Sequence, residues 1–218
     1  MTEARDIAEA LLLQGGKLVT HGQVVGSGGN LSGLLPGGDS FLITPSGLSI
    51  AELTVDDFVE VGLDGTIGAS GLKPSSEWQM HAEAYRVRPD STWAFHLHPP
   101  VSTTLHAIGT PIRLITTDHA YYVRELRSVP FIPSGTIELA QAVAAQLDGA
   151  DVVLLQHHGC LAMADAHDLA YQRVMNLEAA AMATYRATML GDTDTVAPPE
   201  YMARILSLEA ADQGYDKH

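Results

Sequence analysis

Cysteine is almost missing from this sequence: Cys160 stands alone among 218 residues. An intramolecular disulfide is thereby excluded, the composition fits a reducing compartment, and a metal site would have to rest on histidines and carboxylates. Basic residues are scarce as well, with twelve Lys and Arg giving a formal net charge of −14. Such a chain repels nucleic acid and anionic membrane surfaces, so neither is an expected partner. It also repels a phosphorylated small molecule, which would need local help from backbone N–H groups, hydroxyls or a cation. Long apolar runs are absent too. Ala10 to Leu13 is followed at once by Gln14, Gly15, Gly16 and Lys17, so neither a signal peptide nor a membrane span fits and a cytoplasmic protein is expected.

What is present is ordinary globular composition, 46% hydrophobic and 17% charged, in a length that suits one domain across residues 1–218. The patterns predict helices over Thr2–His21, Thr136–Leu147, Asp168–Leu190 and Pro199–Asp212. A further helix is expected to open at Pro74-Ser75-Ser76-Glu77 under a Ser cap and end near Arg88-Pro89, and another to begin after Pro99-Pro100. Val55–Phe58 reads as a short helical turn. Strands are expected over Ser40–Thr44, Val59–Gly62, Thr92–Leu97, Ile112–Ile115, Ser128–Phe131 and Asp151–Gln156, with a strand interrupted by a loop in the glycine-rich stretch Val24–Gly38. Helices alternate with strands, but several strand connections are too short for a parallel crossover. An α/β protein with a mainly antiparallel sheet follows.

Chemistry concentrates at a few places. His96 and His98 lie two apart at a strand end, where alternation sends both imidazoles to one face. His157-His158, after the apolar strand ending at Gln156, offers the third ligand that a catalytic zinc-class site needs. The blander reading is satisfied surface histidines, and most of the ten histidines fall under it. Cys160 reads as packing. Two further clusters suit an oxyanion: Gly28-Gly29-Asn30-Leu31-Ser32, with bare N–H groups, an amide and a hydroxyl, and Ser75-Ser76 at a helix N-terminus. Ser46-Gly47 could add a third wall. Leu31 stands where a dinucleotide fingerprint needs its third glycine, and no Lys-Ser or Lys-Thr follows, so nucleotide binding loses support.

Taken in order, Gly29-Asn30, Thr44-Pro45-Ser46-Gly47, Lys73-Pro74-Ser75-Ser76-Glu77, His96-Leu97-His98 and Leu154-Leu155-Gln156-His157-His158-Gly159 resemble the class II aldolase/adducin family, and most closely its fuculose-phosphate aldolase branch. The resemblance implies a three-layer α/β/α sandwich around a mainly antiparallel sheet and a homotetramer with active sites at subunit interfaces. It implies one zinc per subunit, with manganese, cobalt or iron as substitutes, on His96, His98, His158 and Glu77. It implies a substrate phosphate held by Gly29, Asn30, Ser46, Gly47, Ser75 and Ser76. Glu77 matches the family's acid/base, and a Glu there, where the related pentulose-phosphate epimerases carry Asp, favours a lyase. The implied reaction is cleavage of a small ketose 1-phosphate, such as L-fuculose 1-phosphate, to dihydroxyacetone phosphate and an aldehyde. Where the branch has Pro-Tyr before a Gly-Thr, this chain has Pro130-Phe131 before Gly135-Thr136, so the acceptor-side hydroxyl would come from Tyr121, Tyr122 or Tyr215. The same scaffold also implies alternatives: a metal-dependent dehydratase, decarboxylase or epimerase, or a non-catalytic adducin-like assembly module.

Overall fold

The computed structural model describes residues 2–205 and 207. Seven strands, β1 (Asn30–Leu34), β2 (Ser40–Ile43), β3 (Val59–Gly62), β4 (Trp93–Leu97), β5 (Leu126–Val129), β6 (Val152–Leu155) and β7 (Gly159–Ala164), form one sheet in the order β3-β2-β1-β4-β7-β6-β5. Every pairing is antiparallel except β5 with β6. That parallel pair is joined through a helix, α5 (Ile137–Gln146), as the crossover requires. The edges are β3 and β5. Beyond β3 the chain folds back on itself through the Val61–Ile67 bridge, and β5 runs into Pro130.

Strand alternation gives the sheet two apolar faces. Ile43, Ala94, Leu161, Met163 and Leu155 pack against α5 and α2 (Trp78–Val87), whose buried positions include Met80, Ala84 and Tyr85. Leu31, Phe95, Leu97, Cys160 and Ala162 pack on the other face, against α1 (Thr2–Thr20) and α6 (His167–Met189). The α6 stripe Ala170, Val174, Leu177, Ala181 and Thr184 is buried at helical spacing, and its small residues bring the helix close to the strands. Two shorter helices, α3 (Pro100–Ala107) and α4 (Thr117–Val123), also pack on α6. This is the expected α/β/α sandwich with a largely antiparallel sheet. Among the described residues no helix is long and apolar enough to cross a membrane.

The local expectations hold in most places and fail in instructive ones. Ile112–Ile115 is not a strand, and α4 follows it, started by Thr116, whose hydroxyl accepts from His119 N. The Ser128–Phe131 strand sits earlier, at Leu126–Val129, because Pro130 has no N–H to continue the ladder. The strand β7 was not expected. The short turn expected over Val55–Phe58 is a single turn at residues 55–57, held by Asp57 accepting from Thr54 N and Oγ1, and a one-turn 3-10 helix precedes it at Ile50–Glu52. The strand in the glycine-rich stretch is continuous and includes Gly33, with the other glycines lying before and after it. At the chain end residues 199–205 are helical, and the rest of the expected Pro199–Asp212 helix lies outside the described residues, apart from Ser207.

Candidate metal centre and active site

The site sits where β4, in the middle of the sheet, runs out. His96 is the penultimate residue of β4 and His98 follows the strand, so both project to the α2 side. His158 arrives on the tight connection between β6 and β7, and Glu77 occupies the N-cap position of α2. The strand end is pinned by α3, which begins with Pro100 directly after Pro99. The first N–H groups of α3 are satisfied from α6: Glu178 accepts from Val101 N and Ser102 N at 2.8 Å and from Ser102 Oγ at 2.6 Å.

The four side chains converge. One ligand atom from each of Glu77, His96, His98 and His158 can be chosen so that all lie within 4.8 Å of one another. Glu77 Oε2 stands 3.1 Å from His96 Nε2, Glu77 Oε1 is 3.3 Å from His158 Nε2, and the Nε2 atoms of His96 and His98 are 3.1 Å apart. Ligands about 2.0–2.1 Å from a tetrahedral zinc-class ion are spaced by about 3.3 Å, which these three separations approach. Hydrogen bonding points the same way. His96 Nδ1 lies 2.9 Å from the Cys160 carbonyl, which can only accept, so the ring proton is on Nδ1 and Nε2 carries a lone pair aimed into the cluster. Glu77 Oε1 is buried with no hydrogen-bond partner, an arrangement that costs about 1–3 kcal/mol unless another group satisfies it. Three imidazoles and an unsatisfied carboxylate oxygen facing one point fit a divalent cation.

Two glycines make the approach possible. A Cβ on Gly159 would stand 2.2 Å from the Leu97 carbonyl oxygen and 2.7 Å from His98 Cδ2. Gly29, at φ +79°, would place a Cβ 2.8 Å from the His96 carbonyl oxygen.

Burial pushes His98 down to about 4, with His96 and His158 adding to it. Burial also pushes His158 below the ordinary imidazole range, and takes the fully buried His81 down to about 3. Burial acts to raise Glu77, but His96, His158 and the Asn30 amide together hold it well below the usual carboxylate range. The histidine shifts carry a sign. Folded values below the unfolded value of about 6.5 mean that the unfolded chain takes up more protons as pH falls from about 6.5 towards 4. The stability associated with these neutral rings is complete above about 6.5 and drains away across that window, at about 1.4 kcal/mol per unit of displacement. Metal-free protein should therefore melt at a progressively lower temperature between pH 7 and pH 4.5. A midpoint that stays level across that range would contradict burial of neutral imidazoles.

The remaining residues singled out in the sequence fall at several places in the fold. Thr44 to Ser46 and Lys73 to Ser75 run beside each other, joined by Ser46 N to Lys73 O at 2.9 Å, Ser75 N to Thr44 O at 3.1 Å and a Pro45–Pro74 bridge. Thr44 is bonded in turn to Leu31 of β1. Gly29, Asn30, Ser46, Gly47, Ser75 and Ser76 thus belong to neighbouring backbone at the same sheet end. Ser46, Gly47 and Ser76 are exposed, whereas Asn30 is buried and commits its Nδ2 to Glu77 Oε2 at 3.0 Å. Neither serine occupies the N-cap of α2: Glu77 does, with its side chain turned into the cluster, and Ser75 Oγ accepts from Glu77 N instead. Tyr121 and Tyr122 pack against each other on α4, and no described hydrogen bond or ring contact joins them to the four-residue cluster. Phe131 is exposed, edge-on to His157. Cys160 is buried packing, its thiol pushed up to about 12, first by burial and then by Glu178. Tyr215 lies outside the described residues. The sequence reading missed the group behind Asn30, namely His81, Ser32 and Tyr85. Its trace was there: Glu77, His81 and Tyr85 recur every four residues, and Asn30 and Ser32 alternate on a strand.

A three-histidine, one-carboxylate cluster at the end of a central antiparallel strand defines an α/β scaffold with a site that could hold a metal ion. The match to known proteins narrows this. The family described as Class II Aldolase and Adducin N-terminal domain matches residues 9–185, and the chain belongs to that family. It is 32% identical over 195 residues to the 5-methylthioribulose-1-phosphate/5-deoxyribulose-1-phosphate aldolase of Rhodospirillum rubrum, covering 87% of this chain and 85% of that one. With the L-fuculose phosphate aldolase of Methanocaldococcus jannaschii it shares 34% identity over 168 residues, 77% of this chain and 90% of the relative. Among solved structures, an L-fuculose 1-phosphate aldolase superposes with a TM-score of 0.86 at 30% identity, over 94% of this chain and 96% of that one. The L-fuculose-1-phosphate aldolase of Thermus thermophilus gives 0.76 at 30% identity, over 88% and 100%. The chain is a lyase of the class II aldolase kind.

Proposed function

We propose that the whole chain works as one class II aldolase domain that cleaves a small ketose 1-phosphate, L-fuculose 1-phosphate or a 5-deoxy or 5-methylthio pentulose 1-phosphate, to dihydroxyacetone phosphate and an aldehyde. The observation that carries this is the convergence of His96, His98 and His158 on a buried Glu77 whose Oε1 has no hydrogen-bond partner. These four would hold the ion, zinc first, with manganese, cobalt or iron as other ions that imidazole and carboxylate suit. When bound, a divalent cation supplies a Lewis acid for the negative charge that builds on the ketone oxygen as the adjacent C–C bond breaks.

The chain's own residues do the rest. Glu77, leaned on by Asn30 and two imidazoles, is a carboxylate at neutral pH and would move the proton at the donor carbon. The phosphate of a net-repelled substrate would be received at the sheet end by Gly29, Asn30, Ser46, Gly47, Ser75 and Ser76, whose segments are hydrogen-bonded together. With Asn30 Nδ2 already given in part to Glu77 and its backbone in the β1–β4 ladder opposite His96, a second amide hydrogen is what it has left for that anion. Tyr215 would protonate the leaving aldehyde. The active unit would be a cytoplasmic homotetramer with the sites at subunit interfaces.

The test needs no knowledge of the aldehyde. Metal-loaded protein in heavy water should exchange deuterium into dihydroxyacetone phosphate, followed by proton NMR, and a chelator should abolish the exchange. Fully metal-loaded protein that gives none would overturn the donor assignment and bring dehydratase, decarboxylase or epimerase chemistry forward.

A further inference from the structure

Behind Glu77 a file of buried polar groups runs away from the site. Asn30 Nδ2 lies 3.0 Å from Glu77 Oε2, Asn30 Oδ1 is 2.5 Å from His81 Nε2, His81 Nδ1 is 2.6 Å from Ser32 Oγ, and Ser32 Oγ is 2.7 Å from the Tyr85 hydroxyl. All four residues behind the carboxylate are buried, His81 and Ser32 completely. Chemistry fixes the direction of every bond. A carboxylate only accepts, so Asn30 presents its NH2 to Glu77 and its carbonyl oxygen to His81. That oxygen also only accepts, so the His81 proton is on Nε2. The Nδ1 of the neutral ring then accepts from Ser32, whose oxygen accepts from Tyr85. Each donor points towards Glu77.

Such a file has two possible uses, and its far end decides between them. A proton conduit needs an exit to solvent, but Tyr85 ends in the core beside Phe41. What the file can do is hold orientation. An amide flip at Asn30 would set its oxygen against the Glu77 carboxylate and its NH2 against the His81 N–H, two clashes that the His81 proton forbids. We propose that His81, backed by Ser32 and Tyr85, is a positioning group that locks the Asn30 amide so that its N–H fixes one oxygen of Glu77 and leaves the other facing the three imidazoles. Fixing one carboxylate oxygen in this way sets the angle at which the other meets an ion or a substrate proton, as outer partners of metal ligands do. The inference rests on the metal-lyase reading above for what Glu77 is positioned to do.

Two substitutions at one position separate orientation from packing. His81→Phe keeps a ring in the space beside Phe41 and removes both hydrogen bonds, whereas His81→Gln keeps an N–H for Asn30. For His81→Phe we expect cobalt(II) binding, measured by chelator competition, to weaken about 10-fold or more, within the range seen when outer partners are lost. Deuterium exchange should lose kcat by a similar factor with KM nearly unchanged, and the Asn30 side-chain NH2 pair should shift in a proton–nitrogen NMR spectrum of the metal-free protein. His81→Gln should recover most of the cobalt affinity and kcat even if its melting temperature falls as far. Cobalt affinity and an Asn30 signal both unchanged in His81→Phe, or losses that track melting temperature equally in both variants, would overturn the proposal. If His81→Phe fails to fold, Tyr85→Phe removes the last link alone and should weaken cobalt binding about 2–5-fold, with no change overturning the idea. Failure of the wild type to bind cobalt would count against the metal-lyase reading alone, because the Asn30 signal still decides the orientation claim without metal.

Discussion

Glu77→Gln should keep the metal and lose turnover, with deuterium exchange into dihydroxyacetone phosphate falling by about 10³-fold, the middle of the range for a lost general acid/base. The three imidazoles that surround the position are untouched by the change, so cobalt should still bind, more weakly for want of the anionic ligand. The geometry makes the substitution clean. Asn30 donates to Oε2, so the Gln oxygen must take that place and the Gln NH2 must fall where Oε1 now stands, towards His158. A neutral amide there can neither take a proton nor balance the charge of an ion. Exchange at the wild-type rate in a metal-loaded Glu77→Gln protein would remove Glu77 from the proton transfer altogether.

Gly159→Ala should do comparable damage without touching a reacting group. The new methyl would lie 2.2 Å from the Leu97 carbonyl oxygen, an atom of the central strand that cannot swing aside as a side chain would. Relief requires β4 and β7 to part by roughly 1 Å at the end that carries His96 and His98, and displacement on that scale is enough to cost about 10²-fold in rate. Overpacking adds about 1–3 kcal/mol of lost stability. Kinetics, cobalt affinity and melting temperature should all fall together. Gly16→Ala is the matched control: that glycine lies inside α1 with nothing within 4 Å of a new Cβ, and removing a helical glycine should raise stability by up to about 1 kcal/mol. Activity retained in Gly159→Ala would show that the strand ends tolerate movement that the packing says they cannot.

Much of this was legible in the chain, and the residues that were not share a cause. His96 and His98 were readable because the period of a strand places both on one face. The pair His157-His158 was readable as a source of a third ligand, but the choice of His158 between them, and Glu77 as the fourth, entered through resemblance to a family rather than through spacing. The strand β7 escaped because Gly159-Cys160-Leu161-Ala162-Met163-Ala164 is buried throughout, so it shows no polar alternation, and its Ala, Leu and Met lean towards helix. Ile112–Ile115 carries β-branched residues but finds no ladder partner, and a strand exists only as half of a pair. The α2 start was misread because a Ser before a Glu looks like a cap, whereas the Glu gives up first-turn duty to face the histidines. Behind it, His81 looked like one histidine among ten. Its role depends on Ser32 and Asn30, about fifty residues earlier, and only the packing of α2 on β1 brings them together.

The two ends of the sheet carry a different kind of information. A row of unpaired N–H and C=O groups invites a second molecule to add a strand, and a ribbon of copies could grow from either side. Here the β3 flank folds its own chain back through the Val61–Ile67 bridge, and the β5 flank ends at Pro130 with Arg127 and Ser128 within the strand. Proline cannot donate and a charged neighbour resists stacking, so both borders are poor templates for growth. A protein finished in this way should stay dispersed when stripped of metal and returned to dilute buffer, and its strands should recruit one another rather than those of the next molecule.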